Sequence, residues 1–273
     1  MQGGIIMIAF KIFDEYLDNR EIGALLHYEN QNSFIIELCE NLPEWDIPLF
    51  FSVFVKREIY TIPKEFAYLW VKERIPPTGR QNIGLILKNM KLTSYSEVRL
   101  LAANNGKSSQ DECYIKEIKK EEFPEWVIER QTHNIRECFP ITDDRLICLL
   151  DDDTVIEVDL SKCVEENQKL SSVIGKKRVL DTLSVDAGGY GISFNNTIFL
   201  DATTLRKNGT ILPIYASVFY DFIRSSVINT TEACEILECS RQNLAYMIKQ
   251  KAVTPLKKGW KENVFLKGDI TRY

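Results

Sequence analysis

The C-terminal region of the chain contains the sequence NTTEACEILECSRQNLAYMIKQK at residues 229–251. Asn229 stands where a helix N-cap is favoured, and Glu232 follows three residues later, as in a capping box. Ser240 is placed to cap a second helix that runs to about residue 250. The sequence therefore predicts two short helices joined by a tight turn.

The second of these helices is amphipathic. Leu244 and Ile248 are four residues apart and are expected to face inward. The side chains left on the outer face or at its flank are polar: Arg241, Gln242, Asn243, Tyr246 and Lys249. A second helix that presents such side chains is typical of modules that place a recognition helix in the DNA major groove.

Residues 253–266 predict a β-hairpin, because two short apolar-containing runs flank a turn-prone basic stretch. Lys257, Lys258 and Lys261 fall in this stretch, where a phosphate backbone would pass. Residues 267–273 predict a further helical turn against the core of the same module.

The charge of the chain reverses at this end. Residues 224–273 contain nine Lys/Arg and five Asp/Glu, a net charge of +4, whereas the whole chain is −5. Residues 1–223 therefore carry −9. A basic segment on an acidic body is typical of a polyanion-binding appendage.

Residues 226–273 resemble the winged helix-turn-helix domains of the excisionase and MerR-like type. The resemblance rests on short stretches and their order: Thr231–Ala233 with Ile236–Leu237, Cys239–Gln242, Ile248-Lys249 with Lys251–Val253, and Val264-Phe265 with Gly268–Ile270. The chain departs from the family at Ala252-Val253, where the family often has Gly-Leu. The resemblance implies a fold that binds duplex DNA.

The resemblance and the geometry of the helix together imply roles for the side chains. Gln242, Asn243 and Tyr246 are expected near base edges, since amides can make bidentate contacts to adenine. Phosphate contacts are expected from the cations, Arg241, Lys249, Lys257, Lys258 and Lys261. The alternative is a small helical domain that packs against the body or a protein partner.

The middle of the chain, residues 134–212, predicts a small α+β domain. Its strongest signal is a hairpin of residues 144–150 and 154–160 across Asp151–Asp153. These three carboxylates lack the spaced oxygen ligands of a calcium loop, so a solvated turn is expected instead. The hairpin, residues 191–194 and residues 200–205 resemble a small bacterial domain family of unknown function, which implies no catalytic residue.

Residues 1–130 predict a further α+β domain, with strands at 8–13, 23–28 and 33–38. Arg74, Arg80, Gln81 and Asn82 cluster around a Pro-Pro-Thr-Gly turn and could hold an anion or a partner. They could equally cap the turn and pair with Glu73 or Asp111. This region resembles uncharacterised proteins of gut-type Firmicutes, and that resemblance implies no activity.

Composition narrows the classes of function. Seven cysteines without a CxxC pair favour a reducing cytoplasm over a disulfide framework. The first seven residues lack the features of a signal peptide, and no stretch approaches the length of a membrane span. The two histidines, His27 and His133, lie in no catalytic or metal-ligand motif. Neither an enzyme nor a metal or cofactor is expected.

These observations predict an α+β, multi-domain protein with domains at 1–130, 134–212 and 224–273. The expected function is sequence-specific binding of double-stranded DNA by a cytoplasmic bacterial transcriptional regulator or mobile-element accessory factor. A homodimer or a protein partner is expected as well. Two alternatives remain: an antitoxin-like adaptor whose C-terminal module binds a protein, and an enzyme that uses the region of Arg74 and Arg80.

Overall fold

The computed structural model describes residues 7–40, 42–43, 45, 47–119, 122–259 and 262–272. Helices and several separate sheets mix along the chain, as the predicted α+β class requires. The chain divides into two compact units, Met1–Asn134 with Ser184–Ser193, and Ile135–Leu183 with Phe194–Tyr273. No helix in the described ranges combines the length and the apolar character needed to cross a membrane.

The strands in chain order are β1 Met7–Asp14, β2 Arg20–Tyr28, β3 Ser33–Leu38, β4 Thr61–Ile62, β5 Cys113–Ile118, β6 Ile135–Pro140, β7 Arg145–Leu150, β8 Thr154–Asp159, β9 Ser184–Val185, β10 Gly191–Phe194, β11 Ile198–Asp201, β12 Gly209–Tyr215, β13 Val227–Asn229 and β14 Val264–Leu266. The helices are α1 Leu49–Val55, α2 Lys64–Lys72, α3 Ile83–Asn89, α4 Glu97–Ala103, α5 Glu125–Gln131, α6 Lys177–Leu180, α7 Ala202–Asn208, α8 Ala216–Ser226, α9 Thr230–Ile236, α10 Arg241–Lys249 and α11 Lys267–Thr271.

The first unit is built on a five-stranded antiparallel sheet in the order β4-β3-β2-β1-β5. Asp18 and Asn19 take left-handed φ angles of 52° and 59° between β1 and β2, a conformation that Asp and Asn tolerate better than most residues. Asn32 does the same before β3, with φ of 43°. The three strands predicted from the sequence between residues 8 and 38 are confirmed.

Both faces of this sheet are covered. One face packs on α1, α2 and α4 through large apolar side chains that are almost fully buried, among them Phe10, Phe34, Phe51 and Trp70. The other face carries Leu26, Tyr28 and Ile35 and packs on Val127 of α5 and on Tyr190. Since β3 lies inside the sheet and between two cores, any polar side chain on it must find partners within the fold.

Glu37 is the polar side chain that β3 buries completely. Its Oε2 accepts hydrogen bonds from Arg130 Nη1 of α5 at 2.6 Å and from Thr61 Oγ1 of β4 at 2.8 Å. Arg130 also donates to the carbonyl of Leu38 and to Glu40. Burial raises the pKa of the Glu37 carboxyl above its ordinary value of 4.5, and the Arg130 guanidinium partly offsets this effect. The ion pair thus ties α5 to the middle of the sheet.

Replacement of Arg130 by Met should leave a buried carboxylate without its cation and cost about 3 kcal/mol of unfolding free energy. The loss should grow as the pH rises from 5 to 8. Below the ordinary pKa of 4.5 Glu37 is protonated in both states, whereas above it only the folded state resists ionisation. Urea unfolding of the full chain at several pH values measures this. Arg145→Met, which breaks an exposed pair with Glu157, is the control and should shift the midpoint little.

The second unit contains a four-stranded antiparallel sheet in the order β12-β8-β7-β6. The hairpin predicted at residues 144–160 is confirmed as β7 and β8. Ile147 and Leu149 of β7 and Val155 of β8 pack beneath α8, where Ala216 is fully buried. The sequence patterns did not predict α8.

The Asp151–Asp153 turn is at least partly exposed, as predicted, and each of its carboxylates also has a protein partner. Asp151 pairs with Arg136 at 2.9 Å, and Asp152 pairs with Arg206 at 3.1 Å. Asp153 accepts hydrogen bonds from the N–H and Oγ of Ser217, at 2.7 and 2.8 Å. The three side chains diverge toward three different elements, so they hold the hairpin tip in place and do not converge on one point.

The C-terminal segment of this unit forms its own small core. Strands β13 and β14 pair antiparallel, with Ile228 opposite Phe265. The core side chains are Ile228, Ala233, Leu244, Val253, Phe265 and Ile270, all at most 7% exposed. The predicted helix caps are confirmed: Asn229 and Glu232 form a capping box on α9, and Ser240 caps α10. Helix α11 supplies the predicted final turn.

Within residues 253–259 and 262–266, the described part of the predicted hairpin, pairing between the two runs is limited to one bridge. Lys257 and Val264 form a single antiparallel bridge, with N···O distances of 3.3 and 3.0 Å. Strand β14 instead pairs along its length with β13, which the sequence patterns did not predict. The sequence could not predict this pairing, because a short apolar strand such as Val264–Leu266 can pair with any neighbouring strand.

Removal of the cap by Asn229→Ala should expose the N–H groups of Thr231 and Glu232 and destabilise α9 by about 1 kcal/mol. Hydrogen exchange of the α9 amides in the full chain measures this loss. Glu235→Ala changes an exposed side chain of the same helix outside the cap and should leave exchange nearly unchanged. Equal exchange in both variants would show that the capping box does not stabilise the helix.

Candidate nucleic-acid interface

Helix α10 presents a polar face whose direction is determined by its buried side. Leu244 is 1% exposed, and Met247 and Ile248 are half-buried beside it. A helix advances by about 100° per residue, so Gln242, Tyr246 and Lys249 point away from these three side chains. All three are exposed, Tyr246 by 60% of its surface.

The side chains on the two flanks of this face are also polar, or are small. Asn243 is exposed on one flank, and the Ser240 Oγ cap holds its backbone N–H at 3.2 Å. Arg241 lies on the other flank and donates from Nη2 to Thr231 Oγ1 of α9 at 2.7 Å. The neighbouring Ala245 is exposed and leaves room for close approach to the helix. Arg241 is thus oriented by α9 and keeps further N–H groups for a ligand.

The basic surface continues beyond the end of α10. Lys251 takes a left-handed φ of 60° directly after the helix and is exposed. Lys257 and Lys258 are also exposed, and Lys257 lies at the bridge to Val264. Lys261 falls outside the described residues. The sequence analysis did not include Lys251 among the phosphate contacts, although it lies two residues after Lys249 in a segment without carboxylates.

The charge along this segment has one sign. Residues 239–259 contain five Lys or Arg and neither Asp nor Glu. The nearby carboxylates are Glu232, Glu235 and Glu238, on α9 and the turn after it, and Glu262, whose backbone lies against Gly259. The Glu232 side chain is engaged in the capping box. The face of α10 and the segment that follows therefore offer an anion a field without local competition from carboxylates on the same segment.

The second cluster expected from the sequence does not come together at the surface. Arg74 is buried, with its guanidinium 3.5 Å from the centre of the Trp70 ring, and pairs with Asp111. This is one of the two alternatives that the sequence left open for it. Arg80, Gln81 and Asn82 are exposed before α3. Arg74 therefore contributes to the core of the first unit and is separated from the solvent that the other three face.

His27 and the cysteines of the C-terminal segment were the other residues considered for a catalytic or metal-binding role. His27 is buried, stacks on Phe34 with ring centres 4.4 Å apart, and lies 3.0 Å from Asn32 Oδ1 through Nε2. Across the described ranges, no three His, Cys, Asp or Glu side chains are grouped so that they could hold a metal ion. Cys234 and Cys239 are free thiols.

No protein-family model, curated protein or solved structure matches this chain. The chemistry of its own surfaces is therefore the basis for a functional assignment. Among these surfaces, the outer face of α10 with the basic segment after it combines exposed hydrogen-bonding side chains with a single sign of charge.

Proposed function

We propose that residues 224–273 form a winged helix-turn-helix domain that binds double-stranded DNA with sequence preference. The protein would then be a cytoplasmic bacterial transcriptional regulator or mobile-element accessory factor and no enzyme. One observation carries this proposal. Because Leu244 is buried, α10 presents Gln242, Tyr246 and Lys249 to solvent. These side chains lie in residues 239–259, a segment that contains five cations and no carboxylate.

In this proposal α10 enters the major groove with its outer face toward the bases. The amides of Gln242 and Asn243 each offer a donor and an acceptor, which matches the edge of adenine. Tyr246 adds a hydroxyl and an exposed ring one turn further along the helix. These side chains lie within the first two turns of α10, the part of a recognition helix that contacts base edges in such domains.

The cations position the protein on the duplex. Lys249 and Lys251 lie at the end of α10, and Lys257 and Lys258 follow in the next segment, so they can contact phosphates on the two sides of the helix. A single module of this size covers little DNA, and a dimer or a second contact is needed for useful specificity. The remainder of the chain is then available for dimerisation, a partner or effector binding.

The double substitution Lys257→Ala/Lys258→Ala should weaken DNA binding and reduce the slope of log K against log salt by about 2, since each phosphate contact releases about one counterion. Fluorescence anisotropy with a labelled duplex over a range of salt concentrations measures the slope. Lys176→Ala/Lys177→Ala removes two adjacent exposed lysines outside the module and is the matched control. Equal slopes for the two double variants would contradict the role of Lys257 and Lys258.

Gln242→Ala/Asn243→Ala should reduce discrimination between a preferred duplex and random duplexes, by about 1–3 kcal/mol for each amide that pairs with a base through two hydrogen bonds. The salt slope should stay unchanged, because neither side chain is charged. Selection from a random duplex library identifies the preferred sequence, and competition with random DNA measures the discrimination. Gln250→Ala, at the far end of the same helix, is the control and should keep the preference.

The adaptor alternative is separated from DNA binding by one comparison in the full chain. The wild type and a Gln242→Ala/Tyr246→Ala/Lys249→Ala variant are tested against DNA from the region upstream of the coding sequence, with competitor DNA present. Competitor-resistant binding that the variant loses supports the proposal. A protein partner that the variant no longer binds, with no DNA binding by the wild type, would support the adaptor instead.

A further inference from the structure

Two cysteines face each other in the sheet of the second unit. Cys138 of β6 and Cys148 of β7 are direct partners in the antiparallel register, and their Sγ atoms are 3.1 Å apart. Both are free thiols, and both are buried, with 6% and 0% of their surfaces exposed. The proposed DNA-binding function uses neither of them.

The position of the pair in the ladder favours a bond between the sulfurs. Ile141 N–H donates to the Arg145 carbonyl at 2.9 Å, so the hydrogen-bonded positions alternate from there, and Cys138 and Cys148 occupy a non-hydrogen-bonded position. Pro140, which has no N–H, occupies the same kind of position. Side chains approach most closely at such positions, where the Cα atoms are about 4.5 Å apart, within the range of about 4.4–6.8 Å found in disulfides.

We propose that Cys138 and Cys148 are a redox modification site that forms a reversible intramolecular disulfide. The oxidant is a small disulfide such as oxidised glutathione. One protein thiolate attacks a sulfur of the oxidant and expels one glutathione thiolate, and the second protein thiol then displaces the other glutathione from the mixed disulfide. The two protein thiols are oxidised by two electrons, and the two glutathione molecules that leave take up the two protons.

Access to the pair is through β6. In the described part of the sheet β6 is the edge strand and pairs only with β7, so its local opening exposes Cys138 before Cys148. The hydrogen bond with Cys148 and burial together raise the pKa of Cys138, which makes the thiolate rare and the reaction slow. The site therefore responds to the equilibrium redox state of its surroundings and does not act as a rapid peroxide scavenger.

The disulfide would lie on the face of the sheet opposite to α8. Cys148 lies between Ile147 and Leu149, which point to the other face of β7 and pack beneath Ala216 of α8. A covalent link from β6 to β7 would restrict the twist of the strand pair that supports this helix. Residues 224–226 of the proposed DNA-binding domain are the last three residues of α8, and the rest of that domain follows in the chain.

The test uses the full chain equilibrated in glutathione buffers of graded oxidised-to-reduced ratio, followed by acid quenching, alkylation and tryptic peptide mapping. Trypsin cuts after Arg136, Arg145 and Lys162, which places Cys138 in the peptide 137–145 and Cys148 in the peptide 146–162. We expect these two peptides to be joined, with a mass about 2 Da below their sum, at oxidising ratios, and to separate at reducing ratios. Equilibrium is approached both from reduced protein and from protein oxidised while unfolded and then refolded.

Cys163→Ala is the matched control, because it removes another buried thiol of the same unit and should keep the joined peptides. Cys148→Ala should abolish them and leave Cys138 to be alkylated. Recovery of Cys138 and Cys148 as separately alkylated or glutathionylated peptides at every ratio, from both starting states, would overturn the proposal. A link from either cysteine to Cys163 in place of the expected one would overturn it as well.

Discussion

The burial of one side of α10 is the constraint on which the candidate interface depends. Leu244 occupies a core closed by the β13–β14 ladder, α9 and α11, and the helix cannot turn about its axis without removing Leu244 from that core. Because the helix is regular, this one buried side chain determines which other side chains reach solvent. Gln242, Tyr246 and Lys249 are outside because Leu244 is inside. The chemistry of the surface is thus a consequence of the packing below it.

In the first unit the sheet is covered on both faces, so polar side chains on its inner strands are removed from water. Completely buried polar side chains are costly unless they are paired, and Glu37 meets this requirement at Oε2 through Thr61 on the next strand and Arg130 on α5. The two partners are 24 and 93 residues away in sequence. The same logic applies to Arg74, whose charge is matched by Asp111 and whose plane lies on Trp70. In both cases a charged residue belongs to the structure of the core.

Aspartates and cysteines of the second unit show how strand pairing decides the role of a side chain. Asp151, Asp152 and Asp153 are neighbours in sequence, yet each contacts a different element, since the hairpin tip is surrounded by β6, α7 and α8. Cys138 and Cys148 are separated in sequence, yet the β6–β7 register brings their sulfur atoms to 3.1 Å. Adjacent acidic residues do not imply a common ligand, and distant thiols can form one chemical unit.

The sequence alone determined the features that depend on neighbours along the chain. These are the capping box at Asn229 and Glu232, the Ser240 cap, the two faces of α10, the β7–β8 hairpin and three of the five strands of the first sheet, because helix periodicity, caps and hairpin turns are local. It also indicated most of the described side chains on the candidate interface. Only the tertiary structure decided the pairing of β14 with β13, the partners of Glu37 and Arg74, and the approach of Cys138 to Cys148. The physical reason is that an apolar strand or a charged side chain can be satisfied by many partners, and the choice among them is made when the whole chain packs.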